Sequence, residues 1–264
     1  MKVIYIAGTS HSGSTLLDLM LNAHPEIVSL GEVMNLTQLP KAKKLSAFWS
    51  RVEQRLRETS GMSIMNLNVL DYTDTDARSA PNALLFGAVS HVTGKTFIVD
   101  SSKSPERMSY LMRVKRLDVY PVHLIRNPKG QVASAVKKHG GFLKHIVHYE
   151  LVHQRIRRTL EGVAHSVVRY EDLVLQPEQT LGSLLEPLGL EFHPQQLSWA
   201  EQTKHLVAGN RMRRRKVSEL ILDENWKDRL SFVQKLTIDI GTLRSRLVHR
   251  QTGYAPGRDQ RSST

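Results

Sequence analysis

Lys2-Val3-Ile4-Tyr5-Ile6-Ala7 runs straight into Gly8-Thr9-Ser10-His11-Ser12-Gly13-Ser14-Thr15 and then into Leu16-Leu17-Asp18-Leu19-Met20-Leu21. The first block is a short apolar run of the kind that forms a buried strand. The last has the apolar spacing of a helix, predicted over Ser14–Asn22. Between them lies a loop of glycine and hydroxyl residues. Strand, loop and helix together make a phosphate cradle. Glycines let the backbone approach an anion, the loop N–H groups turn inward, and the helix N-terminus adds a favourable dipole. Ser12, Ser14 and Thr15 add hydroxyl donors.

The spacing nearly fits the nucleotide-triphosphatase pattern G-x-x-x-x-G-K-[ST]. Gly8 and Gly13 take the glycine positions and Thr15 the hydroxyl position, but Ser14 stands where the lysine belongs. That lysine reaches the outer phosphates in triphosphate chemistry. Its replacement points to a phosphate-bearing ligand other than a hydrolysed triphosphate.

Outward from the loop, further strands are predicted at Thr96–Val99, Val119–Ile125 and His165–Arg169, with a short one at Ile27–Leu30. Helical spacing covers Leu45–Glu58, Ala83–Thr93, Pro105–Leu117, Lys129–Lys138 and Lys144–Leu160, and an amphipathic helix closes the pattern at Ser231–Arg250. Strands alternating with helices imply an α/β, P-loop-like three-layer fold with a mainly parallel sheet flanked by helices. Residues 60–82 are polar and poorly periodic and read as a surface loop or lid. With 45–58 and 139–150, they are candidates to shape an acceptor pocket. One domain is expected over 1–252, with a disordered tail at 253–264.

A second anion grip is expected where Val119–Ile125 ends in Arg126-Asn127-Pro128. Ligands of open α/β sheets sit at the carboxyl ends of strands, and an arginine delivered there can hold a phosphate through two parallel hydrogen bonds. Ser134 lies eight residues on, inside the next helix, and Lys138 one turn further. The plain alternative for Lys138 is a solvated helix face. Lys103 ends another strand, in Ser101-Ser102-Lys103-Ser104-Pro105, and is either a ligand-edge cation or an exposed loop lysine. Gly31 would turn the chain so that Glu32 faces the pocket.

These motifs resemble the sulfotransferases that use 3′-phosphoadenosine 5′-phosphosulfate (PAPS). The resemblance covers roughly residues 1–230 and is most specific before residue 175. It implies that the loop with Ser12, Gly13, Ser14 and Thr15 holds the 5′-phosphosulfate, and that Arg126 and Ser134 hold the 3′-phosphate, with Lys138 beside them. The HP–GE arrangement at His24-Pro25 and Gly31-Glu32 is similar to the tyrosylprotein branch, and implies Glu32 as catalytic base. Lys103 would stabilise transferred charge. His11 departs from the pattern, since relatives carry Lys or Arg there. It either helps the leaving phosphate or only shapes the loop. The segment Tyr170-Glu171-Asp172-Leu173 resembles one in which the tyrosine packs near adenosine. The basic stretch around Arg213, with Arg211, Arg214 and Arg215 as rivals, resembles a loop closing over the 3′-phosphate.

Composition sets limits. The 264-residue chain has a net charge of +12 and no cysteine. A thiolate metal site, a disulfide framework and a cysteine nucleophile are therefore excluded. The positive charge suits an anionic ligand. Nothing in the basic cluster resembles the aromatic-interleaved surfaces that bind single-stranded nucleic acid, so no nucleic-acid partner is expected. No apolar run reaches the ~20 residues of a membrane span, and the opening strand lacks signal-peptide features. The expectation is a cytoplasmic enzyme with PAPS as co-substrate and no metal. Its acceptor would be a small molecule or a glycan, and its oligomeric state stays open. The competing readings are a small-molecule P-loop kinase, with Asp100 as one magnesium ligand, and a non-catalytic anion- or nucleic-acid-binding protein.

Overall fold

Lys2–Gly8 forms β1, and its alternating side chains feed two separate cores. Val3, Tyr5 and Ala7 face one side, while Ile4 and Ile6 face the other, all fully buried. A strand buried on both faces belongs in the middle of a parallel sheet. The computed structural model, which describes residues 1–41, 45–207, 212 and 218–245, places it there. The sheet order is β2-β3-β1-β4-β5, with β2 at Ile27–Ser29, β3 at Phe97–Lys103, β4 at Asp118–Ile125 and β5 at Ser166–Arg169. Every pairing is parallel.

The first helix, α1 (Ser14–Asn22), follows the loop directly. Then come α2 (Ala47–Ser60), α3 (Pro81–Thr93), α4 (Pro105–Leu111), α5 (Pro128–His139) and α6 (Phe142–Thr159). The rest are α7 (Tyr170–Leu175), α8 (Pro177–Leu185), α9 (Trp226–Arg229) and α10 (Phe232–Gly241). Proline starts α3, α4, α5 and α8, where its missing N–H costs nothing. Side chains from α2, α3, α4 and α6 cover one face of the sheet, and those from α1, α7 and α8 cover the other. This is the expected three-layer α/β arrangement.

Three expectations are corrected. Helix α4 stops at Leu111 rather than Leu117. Val114 still packs into the core, which prolonged the apolar pattern, but Arg116 takes a φ of 67° and turns the chain into β4. Helix α10 starts where predicted, behind a Ser231 capping box, but breaks at Thr242 before residues 243–245 turn helical again, and the predicted stretch beyond 245 lies outside the described residues. Residues 60–82 are a surface loop fastened to the core rather than a lid. Ile64, Leu67, Val69 and Ala80 are buried. The buried Arg107 guanidinium donates to Val69 O at 2.7 Å and to Asn82 Oδ1 at 2.6 Å, clamping the segment to α4. Helix α2 likewise turns Phe48, Trp49, Val52 and Leu56 into the core. Arg213 and its neighbours Arg211, Arg214 and Arg215 lie outside the described residues, as does the tail from 253 onward.

Candidate active site

The carboxyl ends of β1, β3 and β4 surround a cavity of about 690 Å³. Nearly every residue expected at the site lines it. From the loop and α1 come His11, Gly13, Ser14 and Thr15. From beside β2 and β3 come Glu32 and Lys103, and from β4, α5 and α7 come Arg126, Ser134, Lys138 and Tyr170. Among the described residues, Ser12 is the exception. It is fully buried beneath the loop, its N–H donates to Thr9 O at 3.3 Å, and its hydroxyl makes no hydrogen bond among the described residues.

The loop is tightly built. Gly13 has a φ of 94°, a conformation that favours glycine. A Cβ there would collide with the Tyr170 ring. A Cβ on Gly8 would sit 2.7 Å from Leu124 O on the neighbouring strand. Both glycines are therefore required by close packing. His11 also takes a positive φ, of 67°, which is uncommon for a residue with a side chain.

Arg126 clasps this loop. Its Nη1 donates to His11 O at 2.9 Å, and its Nη2 donates to Asp223 Oδ2 at 2.9 Å. The guanidinium lies 4.6 Å above the centre of the Tyr170 ring, in cation–π range. Behind it, Tyr149 donates its hydroxyl to Arg126 O at 2.9 Å, and Gln131 donates its amide to Ser10 O at 2.8 Å. Ser134 Oγ lies 3.2 Å from His11 Nδ1.

His11 is held neutral. Burial pushes its pKa down to about 4, and the positive surroundings of Lys138, His139, Arg126 and His145 add to the effect. The loop thus offers a hydrogen-bonding imidazole rather than a cation at this position. Among the described residues, the cationic groups facing the cavity are Lys103, Arg126 and Lys138.

On the opposite wall, Lys103 Nζ lies 2.7 Å from Glu32 Oε1. Asn35 donates to the other Glu32 oxygen at 3.0 Å. Lys103 has a φ of 72°, and its ammonium also donates to Ser101 O at 3.1 Å. Asp100, one residue further into β3 than Ser101, is fully buried. It is paired with Arg107 at 2.8 Å and bonded to the Ser102 hydroxyl. It is committed to the core rather than to the cavity.

Sequence reasoning missed the segment from Glu219 to Asn225, which walls the cavity and carries Asp223. It has neither helical nor strand periodicity, and its register rests on Tyr170, whose hydroxyl accepts the Asp223 N–H at 3.3 Å. A recess of about 310 Å³ adjoins the cavity and shares Ser10, His11 and His139 with it. Gln131, Ala135, Lys144, His145 and His148 complete its lining. Among the described residues, no cluster of three or more His, Cys, Asp or Glu is arranged to hold a metal ion. None of their helices is long and apolar enough to cross a membrane.

An all-parallel sheet whose central strand opens an anion cradle defines a P-loop-like α/β protein. The chain belongs to the sulfotransferase family, whose model matches residues 4–194. Protein-tyrosine sulfotransferase 1 of Danio rerio is 26% identical over 208 residues, covering 73% of this chain and 54% of that protein. Protein-tyrosine sulfotransferase 2 of Gallus gallus is 26% identical over 220 residues, covering 78% and 54%. The chain thus spans about half the length of these curated relatives. Among solved structures, the sulfotransferase domain of the Synechococcus PCC 7002 olefin synthase superposes with a TM-score of 0.63 at 18% identity, over 97% of this chain and 96% of that one. The sulfotransferase domain of the curacin biosynthetic pathway gives 0.60 at 20%, over 96% and 98%. At these identities the two structures establish the shared fold.

Proposed function

We propose that the chain transfers a sulfuryl group from PAPS to a hydroxyl or amine of a small-molecule or glycan acceptor. One observation carries the reading. A single cavity is lined at once by the glycine–hydroxyl loop, by Arg126, Ser134 and Lys138, and by the pair Glu32 and Lys103. Two separate anion grips suit a nucleotide phosphorylated at both ends. The tight packing at Gly8 and Gly13 leaves backbone rather than side chains facing the cradle, as a phosphate-binding turn requires.

PAPS supplies the activated sulfuryl group when bound. Ser14, Thr15 and the loop N–H groups would hold its 5′ end, and Arg126, Ser134 and Lys138 its 3′-phosphate. Tyr170, flanking both, would pack near the nucleoside. Arg213 belongs to the same reading as a residue closing over the 3′ end. Ser12 contributes by shaping the loop. Glu32 takes the proton that the acceptor must lose, and Lys103 offsets charge at the transferred group. His11, being neutral, can donate one hydrogen bond. Catalysis of this kind is positioning plus electrostatics, and the chain's own residues need no metal to perform it.

The kinase reading is weakened by Asp100, which is spent on Arg107, and by Ser14 in the lysine position. A cytoplasmic location completes the reading. The test is release of 3′,5′-ADP from PAPS in EDTA, against a panel of phenols, alcohols and amines. Acceptor-dependent release is expected. Magnesium-dependent ATP turnover with no reaction of PAPS would contradict the assignment.

A further inference from the structure

We propose that Asp18 is a positioning residue for the transfer step, tying together the two strand ends that carry Glu32 and Lys103. The inference rests on the function proposed above. Asp18 sits one turn into α1, directly beyond the phosphate loop, and is 1% exposed. Its neighbours along the helix, Leu16, Leu17, Leu19, Met20 and Leu21, are all buried and apolar. A leucine would suit this helix better, because burying a carboxyl without compensation is costly.

The compensation comes from the two strands. Ser29, at the end of β2, donates its hydroxyl to Asp18 Oδ1 at 2.5 Å. The Ser101 hydroxyl of β3 lies beside the same carboxyl and favours its charged form. From Ser29 the chain of contacts runs to Glu32. Ser29 Oγ accepts the Gly31 N–H at 3.1 Å. Gly31 turns the backbone with a φ of 70°, and Glu32 follows. From Ser101 the contacts run to Lys103, whose ammonium donates to Ser101 O at 3.1 Å. The two branches also meet directly, where the Ser101 N–H donates to Gly31 O at 2.9 Å. One buried carboxyl therefore fixes the base and the cation relative to each other and to the helix that opens the cradle.

The environment shows the cost. Burial pushes the Asp18 carboxyl up to about 7, against the lowering effects of Ser29, Ser101 and Lys103, while Asp100 raises it further. Hydrogen-bonding capacity rather than charge is what the Ser29 hydroxyl requires, so an asparagine, whose side-chain oxygen accepts, can serve it.

The experiment compares Asp18→Leu, Asp18→Asn and Ser29→Ala with the wild-type chain. It measures transfer from PAPS to the best acceptor of the panel, 3′,5′-ADP affinity, and the crystal structures. A misplaced catalytic group costs on the order of 10- to 100-fold in rate. Asp18→Leu is expected to lose that much in kcat while keeping its 3′,5′-ADP affinity, and Asp18→Asn to recover most of it. In the crystal, Asp18→Leu should shift the Lys103–Glu32 pair. If Asp18→Leu fails to fold, Ser29→Ala removes one branch and should lower kcat with 3′,5′-ADP affinity intact. Unchanged kcat in the folded variants, an asparagine variant as slow as the leucine one, or 3′,5′-ADP affinity falling in step with kcat would each overturn the proposal. Should the wild type transfer nothing, the proposed function fails, and the crystal structures still decide the role of Asp18: an undisplaced Lys103–Glu32 pair refutes it.

Discussion

Glu32 Oε1 and Lys103 Nζ, delivered by two adjacent strand ends, meet at 2.7 Å across one wall of the cavity. The Glu32 oxygen so engaged can meet an acceptor proton only once its partner is drawn away, and an anionic donor beside Lys103 would do so. Glu32→Gln is therefore expected to lower transfer by about 10²- to 10⁴-fold, with 3′,5′-ADP binding unchanged. Lys103→Ala should slow transfer by roughly 10²- to 10³-fold, the scale of a lost charge-stabilising donor. Single-turnover rates with PAPS check both. A Glu32→Gln variant at wild-type rate removes Glu32 as the base.

Arg126 is already occupied by Asp223, 2.9 Å away. Burial pushes the Asp223 carboxyl up, but the bonds from Arg126 and Asn225 outweigh it and hold the carboxyl below its usual range. It is an anion standing where a phosphate is expected. Asp223→Asn should bind 3′,5′-ADP more tightly than wild type, by several-fold, since a charge-assisted hydrogen bond contributes about 1.5–3 kcal/mol and only part of that is recovered. Weaker binding would show that Asp223 organises the grip instead of competing for it.

Arg126 also clasps the His11 carbonyl, so Arg126→Ala damages the loop and is a blunt probe. Ser134→Ala and Lys138→Ala are cleaner. Each should weaken 3′,5′-ADP while sparing 5′-AMP, as competitive titrations would show. Equal losses for both ligands would move the 3′-phosphate away from α5.

His11 carries a pH signature. Its folded pKa of about 4 lies below the ordinary 6.5, so between these values the unfolded chain binds more protons. The stability contributed by His11 is present above pH 6.5 and is lost as pH falls toward 4. His11→Asn should flatten that part of the stability–pH curve. A polyanion in the cavity pulls the imidazole pKa up, so 3′,5′-ADP binding near pH 5.5 should take up protons. Calorimetry in buffers of different ionisation enthalpy measures this, and the asparagine variant should lose the uptake.

Much of this site is written locally. The loop, the strand-end positions of Arg126 and Lys103, and the Gly31 turn before Glu32 are each set by a few consecutive residues, and the structure brings them to one cavity. Pairings between distant segments have no local signature. Asp223 meets Arg126 across 97 positions of sequence. The polar run 60–82 reads as a surface loop or lid because its few buried anchors, Ile64, Leu67 and Val69, are too sparse to show a period. Its true fastening is Arg107, a charge that looks like a surface residue until Asp100 is found beside it.

The central claim concerns a nucleotide held at both ends, and calorimetry of the wild-type chain in EDTA tests it most directly. The added charge-assisted contacts predict that 3′,5′-ADP binds about 10- to 100-fold more tightly than 5′-AMP. Equal affinities for the two, or tighter binding of ATP once magnesium is supplied, would contradict it.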